Sequence, residues 1–221
     1  RWMRFAQQLG RWGQPKIVLD NRPDTVFAEV QGSNAQFEFS GYLEGLDALI
    51  AQHGPQARIF VFNDSLWSHH SPRRWAEFLK NYEPRRGPGV YGDPRLEPIE
   101  VNGRPLRHLA SWMFLLEGST GQQAFREALQ HALQHFDESP DWPGYDEFLA
   151  HYYAPSRRWG GYTQALSPED LERKMRCSWA EHRLSLHLQH QGMMHPFQGL
   201  HYQGLHAVDR ALSAIKRLKS K

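Results

Sequence analysis

Apolar residues in this chain recur in two rhythms. Across residues 39–52 they fall three and four apart, at Tyr42, Leu43, Leu46, Leu49 and Ile50, which lines one face of a helix. Across Ile59, Phe60, Val61 and Phe62 they run unbroken, rich in β-branched and aromatic side chains. A run that short predicts a strand buried on both faces. It stops at Asn63-Asp64-Ser65, three polar residues at a strand end. Lys16 to Leu19 is a second short strand, ending in Asp20-Asn21-Arg22-Pro23-Asp24, and residues 26–30 read as a small strand or turn. Strand, loop, helix and strand therefore alternate over the first 65 residues. That alternation predicts a parallel βαβ arrangement with right-handed crossovers.

Helical spacing also appears at residues 1–12, 71–82, 121–136, 145–153, 168–191 and 209–221. Ser167-Pro168-Glu169-Asp170 is a helix start, with a serine cap, proline at the first turn and acids against the positive end of the dipole. Residues 83–98 hold seven prolines and glycines and read as a loop, and 192–204 read as irregular. Val101-Asn102-Gly103-Arg104 predicts a hairpin turn, and 108–116 an apolar strand. The fold expected is α/β, a mostly parallel central sheet flanked by helices (residues 1–165), with a helical C-terminal region (166–221).

Composition narrows the classes of function. With 26 Lys+Arg against 24 Asp+Glu, the net charge of +2 is no nucleic-acid footprint. The single Cys177 excludes an internal disulfide framework and fits a reducing compartment. No apolar run reaches the roughly 18 residues of a membrane-spanning helix. Among 13 histidines, five crowd the C-terminal part, His187, His190, His195, His201 and His206. His187 and His190 share a helix face, but no further ligand completes a zinc pattern there.

Three polar strand or helix ends, in order, resemble a known family. Val18-Leu19-Asp20-Asn21 is similar to the second strand of family 2 glycosyltransferases, which have the GT-A fold. The segment from Gln31-Gly32-Ser33-Asn34 to Gly41-Tyr42-Leu43-Glu44-Gly45-Leu46 resembles the element that follows it, and Phe60-Val61-Phe62-Asn63-Asp64-Ser65 resembles the strand ending in the Asp-x-Asp motif. The likeness covers about a quarter of the chain, residues 16–66, and its variant is similar to rhamnosyltransferase-like enzymes of bacterial surface polysaccharide synthesis. It implies a GT-A-like, Rossmann-like fold whose first strand would lie before Arg1.

The resemblance implies transfer of a sugar from a nucleotide sugar to a glycan or lipid-linked acceptor, in the cytoplasm or at the inner face of the membrane. It assigns nucleotide binding to Asp20, Asn21, Asn34, Asn63 and Asp64. Asp146 and Glu147, with Asp141 near, resemble the acidic pair at a helix start that supplies the catalytic base. The family's divalent ion, Mg or Mn, would rest on carboxylates, yet Asn63 and Ser65 stand at those positions and leave Asp64 as the one ligand. Arg157 and Arg158, beside Trp159, would then neutralise the diphosphate, and Trp67 and His69 would contact the sugar. A basic amphipathic stretch at 209–221 suits contact with an anionic membrane surface as well as packing on its own domain. The alternative is a non-catalytic binding or scaffold module of the same fold. A hydrolase or phosphatase using Asp20 or Asp64 ranks below both, since the chain has neither a Gly-x-Ser-x-Gly elbow nor a phosphate loop.

Overall fold

The computed structural model describes residues 17, 19–20, 29–63, 72–155 and 166–219. In chain order the elements are β1 (Leu19–Asp20), β2 (Val30–Gln31), α1 (Phe37–His53), β3 (Arg58–Phe62), α2 (Pro72–Lys80), β4 (Gly89–Val101) and β5 (Arg104–Glu117). Then follow α3 (Gly118–Gln134), α4 (Tyr145–Tyr153), α5 (Pro168–His190), β6 (Met194–Pro196) and α6 (Leu200–Lys219). The helix expected at 1–12 lies outside the described residues.

The α/β class and the helices flanking a sheet hold, but the pairings are mixed. β1 and β2 are parallel and form a two-stranded sheet of their own. The larger sheet has the order β3-β5-β4-β6. β3 runs antiparallel to β5, β5 antiparallel to β4, and only β4 and β6 are parallel. The run at 59–62 is apolar throughout because layers cover it, a property that does not depend on strand direction.

The hairpin turn forms as expected: Asn102 (φ 54) and Gly103 (φ 70) both take the left-handed region that a two-residue turn requires. The segment feeding it is not a loop. From Gly89 on it is a 13-residue strand. Its register slips between Gly92 and Pro94 and again between Leu96 and Glu100, so Pro94 and Pro98 fall at bulges, where a missing N–H costs no ladder bond. Residues 192–204, expected to be irregular, contain β6, and α6 begins at Leu200 rather than at residue 209.

Helices cover both faces of the sheet. On one side α1 (Phe39, Tyr42, Leu46, Leu49), α3 (Phe125, Leu129) and α5 (Ala180, Leu184, Leu188) close over Ile59, Val90, Leu109, Phe114 and Leu116. On the other, α2 brings Trp75, Phe78 and Leu79 against Tyr91, Trp112, Met113 and Leu115, with Phe197 and Leu205 from the C-terminal part. A third cluster joins Leu106 and Val101 of the hairpin to Tyr145, Leu149 and Tyr153 of α4 and Trp179 of α5. α5, β6 and the first part of α6 thus supply the same core and sheet as the preceding elements. Each buried aromatic or leucine contributes on the order of 2 kcal/mol by leaving water. α3 can lie against β4 only because residue 121 is glycine: a Cβ there would press into the Gly89 carbonyl.

α5 starts as its sequence requires. Ser167 Oγ accepts from the Asp170 amide at 3.1 Å, with Pro168 at the first turn. Helix α4 spans Tyr145–Tyr153, the range its periodicity predicts.

Candidate functional site

Two polar regions stand out, one at strand and helix ends near the surface, one inside. The first is built on the parallel pair β1–β2. Asp20 is the last residue of β1, half-buried, and its main-chain oxygen accepts from the Gly32 amide and from Gln31 Nε2, both at 3.0 Å. The carboxyl ends of the two strands therefore lie side by side. The chain then turns through Ser33 and Asn34, whose φ of 54 is a left-handed conformation that asparagine tolerates. Ser33 is fixed from the helix side, its amide donating to Glu44 Oε2 at 2.9 Å and its hydroxyl to Glu44 Oε1. Asn34 is exposed.

Asn63 follows β3, and its amide donates to the Trp112 carbonyl at 3.2 Å. Asp146 and Glu147 are both exposed in the first turn of α4, where Ser139 Oγ donates to Asp146 Oδ1 at 3.0 Å. Asp141 is exposed just upstream. Asn21, Asp64, Trp67, His69, Arg157 and Arg158 lie outside the described residues.

The second region sequence reasoning did not single out. β4 carries Asp93, Arg95 and Glu97 at alternate positions, and His108 of β5 sits opposite Arg95 in the register. Asp93 is 1% exposed and gathers donors from three elements. Arg95 Nη2 reaches Oδ2 at 2.7 Å, Trp112 Nε1 donates to Oδ2 at 3.1 Å, and Tyr202 donates to Oδ1 at 2.5 Å. His206 Nε2 lies 3.1 Å from Oδ1. Burial would raise this carboxyl, but His206, the Arg95 charge and Tyr202 outweigh it and hold it at about 2. Beside it, Trp75 Nε1 donates to Asp209 Oδ2 at 2.7 Å and ties α2 to α6.

On the α5 side of the hairpin, His108 faces two carboxylates. Its Nδ1 lies 3.7 Å from Glu97 Oε1 and its Nε2 3.6 Å from Glu181 Oε2, both beyond hydrogen-bond length. Its ring packs edge-on against His182 at 4.5 Å. His182 Nδ1 shares a 2.6 Å hydrogen bond with the Tyr145 hydroxyl, and Glu181 Oε1 accepts from the Ser111 amide. Burial dominates every titration here. It lowers His108 to about 4, lowers His182 well below the usual range, and raises Glu97, Glu181 and Tyr145. One donor atom from each of Glu97, His108 and His182 lies within 4.8 Å of the other two. Burial pushes the Cys177 thiol up, away from the thiolate form, and its Sγ rests 3.8 Å from Glu38 Oε2.

A signal for this interior region does exist in the sequence. Ser178, His182 and Ser185 are polar residues at the four- and three-residue spacing of a buried stripe, next to Ala180, Leu184 and Leu188. Polar side chains at core spacing must find partners inside. His131 in the last turn of α3 and His135 at its C-terminal cap pack within 5.1 Å of each other, and His187 lies 4.9 Å from His131. His187 therefore pairs with α3, not with His190 along its own helix.

No helix among the described residues is long and apolar enough to cross a membrane. No protein-family model matches the chain, and neither a curated protein nor a solved structure matches it.

Proposed function

We propose that this chain is a glycosyltransferase of GT-A-like, Rossmann-like fold. It moves a sugar from a nucleotide-sugar donor to a glycan or lipid-linked acceptor in bacterial cell-surface polysaccharide synthesis. The observation that carries the reading is the parallel pair β1–β2, with Asp20 at its carboxyl end and the Ser33–Asn34 turn leading into α1. Ligands of α/β proteins bind outside the carboxyl ends of parallel strands, and a carboxylate there accepts hydrogen bonds from a base or ribose. Asn34 and Asn63 add amide donors and acceptors, with Asn21 and Asp64 beside them in sequence.

The acceptor hydroxyl needs a base, and Asp146 and Glu147 are exposed carboxylates able to meet an incoming substrate. Arg157 and Arg158 neutralise the leaving diphosphate where Asn63 and Ser65 offer no carboxylate pair to Mg or Mn. Trp67 and His69 border the sugar. The basic end of α6 would bring the enzyme to an anionic membrane surface, where each cation contributes about 1 kcal/mol.

The neutral Asn63 and Ser65 favour one other reading, a GT-A-like module that binds a nucleotide sugar or glycan without turning it over. Calorimetric titration of the full chain with UDP, GDP and dTDP tests the shared premise. One of them binds, and Asp20→Ala weakens it about tenfold, or ~1.4 kcal/mol. Absence of binding by all three removes both readings. Binding followed by product formation from the matching nucleotide sugar separates the enzyme from the module.

A further inference from the structure

We propose that Glu97, His108 and His182 form a binding site for one divalent transition-metal ion of the zinc, iron or cobalt class. The three side chains come from β4, β5 and α5, and one donor atom from each already lies within 4.8 Å of the others. An ion bound at about 2.0–2.2 Å from each donor brings the donors to roughly 3.5 Å apart. Side-chain shifts of about 1 Å close that gap.

A second observation points to a ligand independently. His108 is 4% exposed, and its Nδ1, on the side facing Glu97, is buried with no hydrogen-bond partner. A buried nitrogen left unpaired is destabilising, and a coordinate bond would satisfy it.

The outer partners of the two imidazoles are also in position. Metal-bound histidines characteristically hold their second ring nitrogen against a carboxylate, carbonyl or other polar group. Tyr145 engages His182 Nδ1 at 2.6 Å, which leaves the other nitrogen for an ion. Glu181 Oε2 stands 3.6 Å from His108 Nε2, on the side away from Glu97, and the Ser111 amide fixes that carboxylate. Two imidazoles and one carboxylate select a transition metal over Mg or Ca, which prefer all-oxygen shells. Three protein ligands leave a coordination position open to water or substrate. This site is separate from the strand-end residues Asp20, Asn34 and Asn63 and does not depend on the glycosyltransferase reading.

The test titrates the full, metal-stripped chain with CoCl2, following the visible absorption of cobalt, and with ZnCl2 in competition. The expected result is one equivalent of cobalt per chain, displaced by zinc and not by a large excess of Mg. Glu97→Gln, nearly isosteric, and Tyr145→Phe, which removes an outer partner, each weaken cobalt binding about tenfold or more. His131→Ala/His135→Ala, which removes the histidine pair at the end of α3, leaves it unchanged. Circular dichroism checks that each variant is folded, and the wild-type stoichiometry stands whatever the variants do. The proposal is overturned if the wild type takes up no cobalt. It is equally overturned if Glu97→Gln and Tyr145→Phe bind as tightly as wild type, or if uptake vanishes with His131 and His135.

Discussion

The strand-end region around Asp20 and the interior region around Asp93 hold polar groups of the same kinds in opposite settings. Asp20, Asn34 and Asp146 sit where elements end, exposed or half-covered. Asp93 lies among Trp112, Tyr202, Arg95 and His206, and every one of those groups is arranged around its charge. The contrast teaches that an acid near solvent is available to a ligand, whereas a buried acid first belongs to the fold. Solvent exposure, not residue type, sets what each substitution costs.

The largest expected effect follows from breaking the interior set. Asp93→Ala removes the carboxylate that Trp112 Nε1 and the Tyr202 hydroxyl donate to and that Arg95 pairs with, a loss of about 3–5 kcal/mol. The urea midpoint of unfolding should fall accordingly. A midpoint within error of wild type would mean that these groups find water or other partners.

Next comes acid sensitivity. Burial holds His108 at about 4 against an ordinary 6.5, so the unfolded chain takes up this proton first as pH falls. Its contribution is complete above about 6.5 and disappears by about 4, some 3 kcal/mol in all. The raised carboxyls of Glu97 and Glu181 act with the opposite sign, gaining stability as pH falls through their folded values. Comparing wild type with His108→Gln at pH 7 and pH 4 isolates the histidine. Asp93 adds a lower leg: its carboxyl is held at about 2 against 3.8, so its stabilisation is present above about 4 and lost as pH falls to about 2. That leg is worth about 2 kcal/mol and should be missing from Asp93→Asn.

Gly121→Ala tests the approach of α3 to β4. The added methyl has no room against the Gly89 carbonyl, so about 1–3 kcal/mol is lost despite alanine's better helix propensity. Thermal melting reads it directly. The smallest effect belongs to the surface: Asp146→Ala should change stability by no more than about 0.5 kcal/mol while removing a candidate base. A large destabilisation there would erase the distinction between the regions.

Much of the fold was legible because its helices carry regular apolar faces and explicit ends. α1, α3, α4 and α5 follow from spacing, and Ser167-Pro168 and Asn102-Gly103 mark a start and a turn that form as read. β4 was not legible, because Gly92, Pro94 and Pro98 carry loop chemistry, and only a partner strand with matching bulges makes them strand residues. Strand direction was equally hidden, since a doubly covered strand looks the same in either sense. For the candidate site, Asp20 and Asn63 draw attention because polar residues ending an apolar run break a pattern. Asp93 and Glu97 sit in the segment read as a loop, His108 only opens a strand read as apolar, and Glu181 and His182 interrupt a helix. Their meaning arises only when three elements converge.

The central claim is that the carboxyl end of the β1–β2 pair binds the nucleotide, separately from the interior set. Calorimetry with the best-bound nucleoside diphosphate, run in parallel on wild type, Asp20→Ala and Glu97→Gln, tests it most directly. The account predicts affinity reduced about tenfold in Asp20→Ala and unchanged in Glu97→Gln. Undiminished binding by Asp20→Ala would contradict it.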